Sequence, residues 1–110
     1  MIVDMEELAA TTGIYNTELL KTFVGDFFKI CSKDLERIVV SMKKGDNKAV
    51  VHHTHNIYGA AYRLALKEIR EAAATLGKAA ANMETEKYDK LYGELVEVFN
   101  TGSEEYTKIA

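Results

Sequence analysis

The 110-residue chain is 47% hydrophobic and 28% charged, with a formal net charge of −3, one cysteine and no proline. These figures suit one domain, 1–110, built around a packed core. They exclude an internal disulfide framework, a multi-cysteine zinc site and an electrostatic basis for nucleic-acid binding. No apolar run reaches the ~20 residues of a membrane span, so no membrane contact is expected. Met1-Ile2-Val3-Asp4-Met5-Glu6-Glu7 lacks the basic start of a signal peptide, which makes the cytoplasm the expected location. The absence of proline favours long helices with few connections.

Asp4 is placed to cap a short first helix through Ala10, ended by Thr11-Thr12-Gly13. From Asn16 or Thr17 to about Lys44, apolar residues recur in steps of three and four: Leu20, Phe23, Phe27, Ile30, Cys31, Leu35, Ile38 and Met42. That spacing predicts a long amphipathic helix. Cys31 is expected to be a buried, inert thiol, and one of the adjacent Phe27 and Phe28 is expected partly outside. Asp46 caps a third helix to about Leu64. A fourth runs from Lys67 to Asn82, with Ile69, Ala72, Ala73, Leu76 and Ala80 inward. Thr85 caps a fifth, which carries Tyr88, Leu91, Tyr92, Leu95, Val98 and Phe99, and Asn100-Thr101-Gly102-Ser103 is expected to break or fray it. Connections this short force neighbouring helices to run antiparallel. The expected fold is all-α: an antiparallel up-down four-helix bundle with a short extra N-terminal helix.

All three histidines fall in Val51-His52-His53-Thr54-His55. At ~100° per residue, Val50, His53, Ile57, Ala61 and Leu64 share the apolar face that should look inward, and His55 lies roughly opposite. His53 is thus expected at the core edge, hydrogen-bonded to a neighbour, and His55 exposed in mid-helix. Around His55 fall Val51, Tyr58, Gly59 and Tyr62 in place of the Lys, Glu, Gln or Arg usual on a solvated face. Gly59 costs about 0.5–1 kcal/mol against alanine in a helix and leaves the imidazole unshielded from an approaching surface. An apolar patch around an accessible imidazole points to docking of another protein. No metal site is expected: His52 and His55 supply at most two ligands where zinc takes three or four, and Glu-x-x-His is absent.

From Asp46 onward the sequence resembles the histidine-containing phosphotransfer (HPt) domains of bacterial two-component phosphorelays. Their core pattern is H-x-[LI]-K-G, preceded about nine residues upstream by Gly-Asp. Gly45-Asp46 stands at that spacing before His55-Asn56-Ile57-Tyr58-Gly59, and the small Ala60 and Ala61 follow. Glu18-Leu19-Leu20-Lys21-Thr22-Phe23 resembles the family's helix leading into the bundle. Two positions depart from the pattern. Tyr58 stands where the family has lysine, and Leu76-Gly77 where it often has leucine followed by Glu or Gln. Lys48, Arg63 and Lys78 are the candidate substitute cations. Only His55 places a glycine four residues on; from His52 and His53 that position is Asn56 and Ile57.

The resemblance implies a phosphorelay intermediate. His55 would accept a phosphoryl group from a receiver or sensor histidine kinase and pass it to the aspartate of a response-regulator receiver domain. It also implies a monomer, with the acceptor aspartate, a lysine and Mg²⁺ supplied by the receiver and no cofactor in the domain itself. Phosphoryl transfer rests on positioning and charge neutralisation, and an ordinary imidazole, with a pKa near about 6.5, is largely neutral at pH 7. A lone exposed histidine therefore suffices as carrier. No phosphate-binding glycine loop or kinase signature is present, so autonomous kinase activity is not expected. The alternative is a binding-only bundle that docks receivers without carrying phosphate, consistent with the replaced lysine and polar neighbour.

Overall fold

The structure, a computed structural model, describes residues 1–110. The chain is all-helical: α1 Met5–Thr12, α2 Thr17–Lys43, α3 Asn47–Arg63, α4 Lys67–Ala81 and, after a 3₁₀ turn at Thr85–Lys87, α5 Tyr88–Ile109. α3 packs on α2 and α4, α4 on α5, and α5 on α2, while α1 lies against α2. No helix is long and apolar enough to cross a membrane.

Local chemistry sets the helix starts. The carboxylate of Asp4 accepts from the N–H groups of Glu6 and Glu7, Asn16 from Leu19, and Asp46 from Ala49. Each satisfies donors that a helix N-terminus leaves free. The ends of α2, α3 and α4 share one device. Asp46 N–H returns to Ser41 C=O, Leu66 to Ala61 and Glu84 to Ala79, each through a left-handed residue. This is the Schellman closure. Its left-handed residue is Gly45 in the first case but Ala65 (φ 54°) and Met83 (φ 57°) in the others, where a Cβ costs roughly 1–2 kcal/mol.

One core cluster joins every helix, with Val24, Ile38, Val50, Ile57, Ile69, Leu76 and Leu95 fully enclosed. α2 departs from the expected stripe. Phe27 and Phe28 are both buried, while Phe23 and Ile30 are exposed. The cause is that α2 is covered on two sides, by α3 and by α5. Its buried sector is thus wide enough for both rings, and it is turned toward Val24 and Phe28. The Phe28 ring meets Phe27 and Phe99 edge-on, at centroid distances of 5.0 and 5.1 Å.

α1 extends to Thr12, two residues past the expected end, where left-handed Gly13 closes it. α5 is unbroken through Asn100–Ser103. Gly102 is a packing residue there: a Cβ would lie 2.9 Å from Ile2 Cγ2 and 3.1 Å from Phe28 Cζ. The same end of α5 holds the N-terminal segment, because Glu105 Oε1 accepts from the N–H groups of Ile2 and Val3 at 2.8 and 2.9 Å.

Two outcomes test this packing. Gly102→Val should destabilise the fold by about 1–3 kcal/mol through overpacking, read as a lower urea midpoint with an unchanged slope. Burial, reinforced by the Asp34 carboxylate, pushes the Cys31 thiol up from 9.0 to about 12. The native thiol should therefore resist a thiolate-selective reagent at pH 8 and react once unfolded. Because the unfolded chain releases this proton at lower pH than the native state does, stability should fall as pH rises from 9 toward 12.

Candidate functional site

α3 lies between α2 and α4, so its buried sector differs from the expected one. Val50, Thr54, Ile57 and Ala61 are buried, while His53 and Leu64 sit at the rim. Thr54 replaces His53 on the inner face because its hydroxyl is satisfied within the helix, donating to Val50 C=O at 2.9 Å. A threonine bonded back in this way presents only its methyl and oxygen to the neighbouring helix. α4 meets it with Gly77, where a Cβ would stand 2.7 Å from Thr54 Oγ1. The backbones of α3 and α4 can close to this distance only because position 77 carries no side chain.

His55 is exposed on α3, one residue beyond this contact. Beside it runs a groove of about 240 Å³ between α3 and α4, walled by Val51, Thr54 and Tyr58 on one side and Ala73, Ala74 and Gly77 on the other. Val51 and Tyr58, expected on the outer face, are half-buried and pack against the core, because α4 covers that side of α3. Toward the C-terminal end of α3 a second, shallower hollow is lined by His55, Tyr58, Gly59, Tyr62 and Arg63. At Gly59 a Cβ would meet nothing within 4 Å. Packing therefore does not require this glycine, in contrast to Gly77 and Gly102.

The His55 and Tyr58 rings lie nearly parallel, with centroids 6.3 Å apart and planes 19° off. Tyr58 and Tyr62 follow at 6.2 Å. Arg70, on the first turn of α4, places its guanidinium carbon 5.3 Å from the Tyr62 ring centre, a cation–π distance. Three aromatic rings thus run from the exposed histidine to an arginine. Of the candidate cations, Arg63 borders the hollow beside His55. Lys48 and Lys78 are exposed and line neither depression. Sequence reasoning missed Arg70 and Ala74, and placed Ala73 inward without the groove it lines, because these positions depend on how α4 folds back after α3. The only signal was the run of small residues on α4.

His53 has a different setting. Its Nδ1 is buried, lies 3.5 Å from Oδ1 of buried Asp34, and makes no hydrogen bond. The expected hydrogen bond is thus absent, the separation being too long for one. The Asp34 carboxylate also takes a 3.4 Å contact from Asn56 Nδ2 and lies 3.9 Å from Arg37. Exposed His52 meets His53 edge-on, at 5.2 Å between centroids. No three His, Cys, Asp or Glu side chains converge as a metal site would require.

The arrangement offers one accessible imidazole, an apolar groove on one side, an open glycine on the other and a cation within the same hollow. Beside that imidazole the polar groups are the Thr54, Tyr58 and Tyr62 hydroxyls and the Arg63 guanidinium, and no carboxylate, thiol or second imidazole lines either depression. No family model matches the chain, and no curated protein or solved structure matches it either.

Proposed function

We propose that the chain is a phosphocarrier of the HPt type, acting between a receiver or sensor histidine kinase and a response-regulator receiver domain. In this reading α2–α5 form an antiparallel up-down four-helix bundle, α1 is the extra N-terminal helix, and the domain works in the cytoplasm. The observation that carries the reading is the pairing of exposed His55 with Gly59. One turn beyond the imidazole the helix is bare, and nothing in the fold requires it to be. A protein surface can therefore approach the ring closely, as in-line transfer between two proteins demands.

In the transfer, a lone pair on an imidazole nitrogen attacks the phosphorus held as an aspartyl phosphate on the receiver. The P–N bond forms as the P–O bond breaks, and the aspartate leaves as a carboxylate. Mg²⁺ would be the receiver's, offsetting charge on the phosphoryl oxygens. This chain's part is to present the ring. Tyr58 lies along it, Arg63 stands in the same hollow, and the groove along α4 accepts apolar side chains of the partner.

The binding-only reading has its own support. Tyr58 occupies the place of the family's lysine, and Gly77 is held against Thr54 where a longer polar residue cannot stand without parting α3 from α4. Exchange separates the two readings. Incubated with a phosphorylated receiver and Mg²⁺, the wild type should acquire acid-labile phosphate and His55→Gln should acquire none. Undiminished labelling of His55→Gln would remove His55 from the reaction. Receiver binding without labelling of the wild type would establish the binding-only reading.

Gly59→Gln gives an independent result. It should slow exchange roughly tenfold or more by keeping the receiver off the ring, while raising fold stability by under about 1 kcal/mol because glycine is a poor helix former. Exchange kinetics and a urea titration on the same preparation check both arms.

A further inference from the structure

We propose that two copies of this chain pair antiparallel through the outer face of α2. The inference is independent of the phosphotransfer reading and departs from the monomer that the family resemblance implies.

Along α2, Phe23, Asp26, Ile30, Lys33, Arg37 and Val40 follow one another at spacings of 3, 4, 3, 4 and 3, the repeat of a helix-pairing seam. All six are exposed, Ile30 (61%) and Val40 (50%) more than Phe23 (37%). This stripe is distinct from the face of α2 that builds the core, which runs through Leu20, Phe27, Cys31 and Ile38. It thus forms a second ordered face on a helix whose first is already used.

The charges on the stripe select the occupant. In an antiparallel pair, layers form between the two unlike seam positions. A two-fold axis level with Cys31 and Ser32 sets Phe23 against the partner's Val40, Asp26 against the partner's Arg37, and Ile30 against the partner's Lys33. Each contact occurs twice, as an isologous interface requires. Just outside the seam the same register brings Lys29 opposite the partner's Glu36, and all of these charged residues are exposed. Every charge but that of Lys33 meets its opposite, and Lys33 can lay its aliphatic stem on Ile30 while its ammonium reaches water. A parallel pair would set Asp26 against Asp26 and Arg37 against Arg37.

The N-terminal half of the seam borders a depression that can take partner side chains. Phe23 and Ile30 form one wall of a groove of about 380 Å³ whose other wall includes Ala60 and Leu64 of α3. The α3–α4 groove beside His55 is lined by none of the seam residues, whereas the hollow on the other side of His55 shares Arg63 with the groove beside the seam.

Sedimentation velocity on the full chain, over a concentration series at low salt, tests the proposal. The expected result is a concentration-dependent shift from the 12.3 kDa monomer to a dimer. Asp26→Arg should weaken association roughly tenfold or more by setting arginine against arginine, and adding Arg37→Asp should restore it. Lys29→Glu with Glu36→Lys provides a second charge exchange, which avoids the contact of Arg37 with buried Asp34, and circular dichroism verifies folding. A chain monomeric at all concentrations, or a dimer indifferent to Asp26→Arg, would overturn the pairing. Double exchanges that fail to recover association beyond their single variants would overturn the antiparallel register. Lys29, exposed and lining neither depression beside His55, gives the control: Lys29→Glu should weaken association while leaving phosphoryl exchange at His55 unchanged, so failure of either proposal is visible without the other.

Discussion

The contact between Thr54 and Gly77 sets the geometry around the candidate site. It fixes how closely α4 approaches α3, and that approach has three consequences. It turns the buried sector of α3 away from His53, half-buries Val51 and Tyr58, and cuts the groove that runs beside His55. The contact is tolerated because the threonine hydroxyl is already bonded to its own helix, so burying it leaves no donor unpaired. A larger residue at either position would move the wall against which the exposed imidazole stands.

The three glycines inside helices that bear on these contacts are used differently. Gly77 and Gly102 stand where another chain segment fills the place of a Cβ, whereas Gly59 stands before open space. From the sequence Gly59 reads as an opening for an approaching surface, Gly77 as a lost polar neighbour and Gly102 as part of a helix break, and nothing in it marks the last two as packing positions. That explains the misjudged break near Gly102: the residue that looks like a helix breaker is the one that lets Ile2 and Phe28 reach the helix surface. The three-dimensional neighbours are what identify Gly77 and Gly102 as kept for packing.

Most helix bounds, three of the four expected caps and the exposure of His55 were legible in the primary structure because each depends on neighbours within one or two turns; the exception is Thr85, which opens the 3₁₀ turn instead of capping α5, whose start at Tyr88 has no side-chain cap. Asp4, Asn16 and Asp46 announce helix starts through short-range hydrogen bonds, and the phase of α3 places His55 outward. What was not legible depends on pairs distant in the chain. The burial of both Phe27 and Phe28 needs α5 to cover α2, and the ring of Tyr62 meets Arg70 only after the turn at Leu64–Leu66. Two of the three helix closures also lack the glycine that marks such turns, since Ala65 and Met83 take the left-handed conformation themselves. His53 shows the same division. Its helical phase gave the core edge, but the distance to Asp34 depends on how α2 is seated.

Gly59 and Gly77 stand one on each helix around the groove, and a glycine in mid-helix costs about 0.5–1 kcal/mol against alanine. The free energy needed to open the backbone locally is reduced at both. Amide hydrogens near Gly59 and Gly77 should therefore exchange with solvent more readily than those of equally buried helical turns without glycine. The surface beside His55 is thus bounded by one glycine on each of two otherwise regular helices, the positions at which local opening costs least backbone free energy.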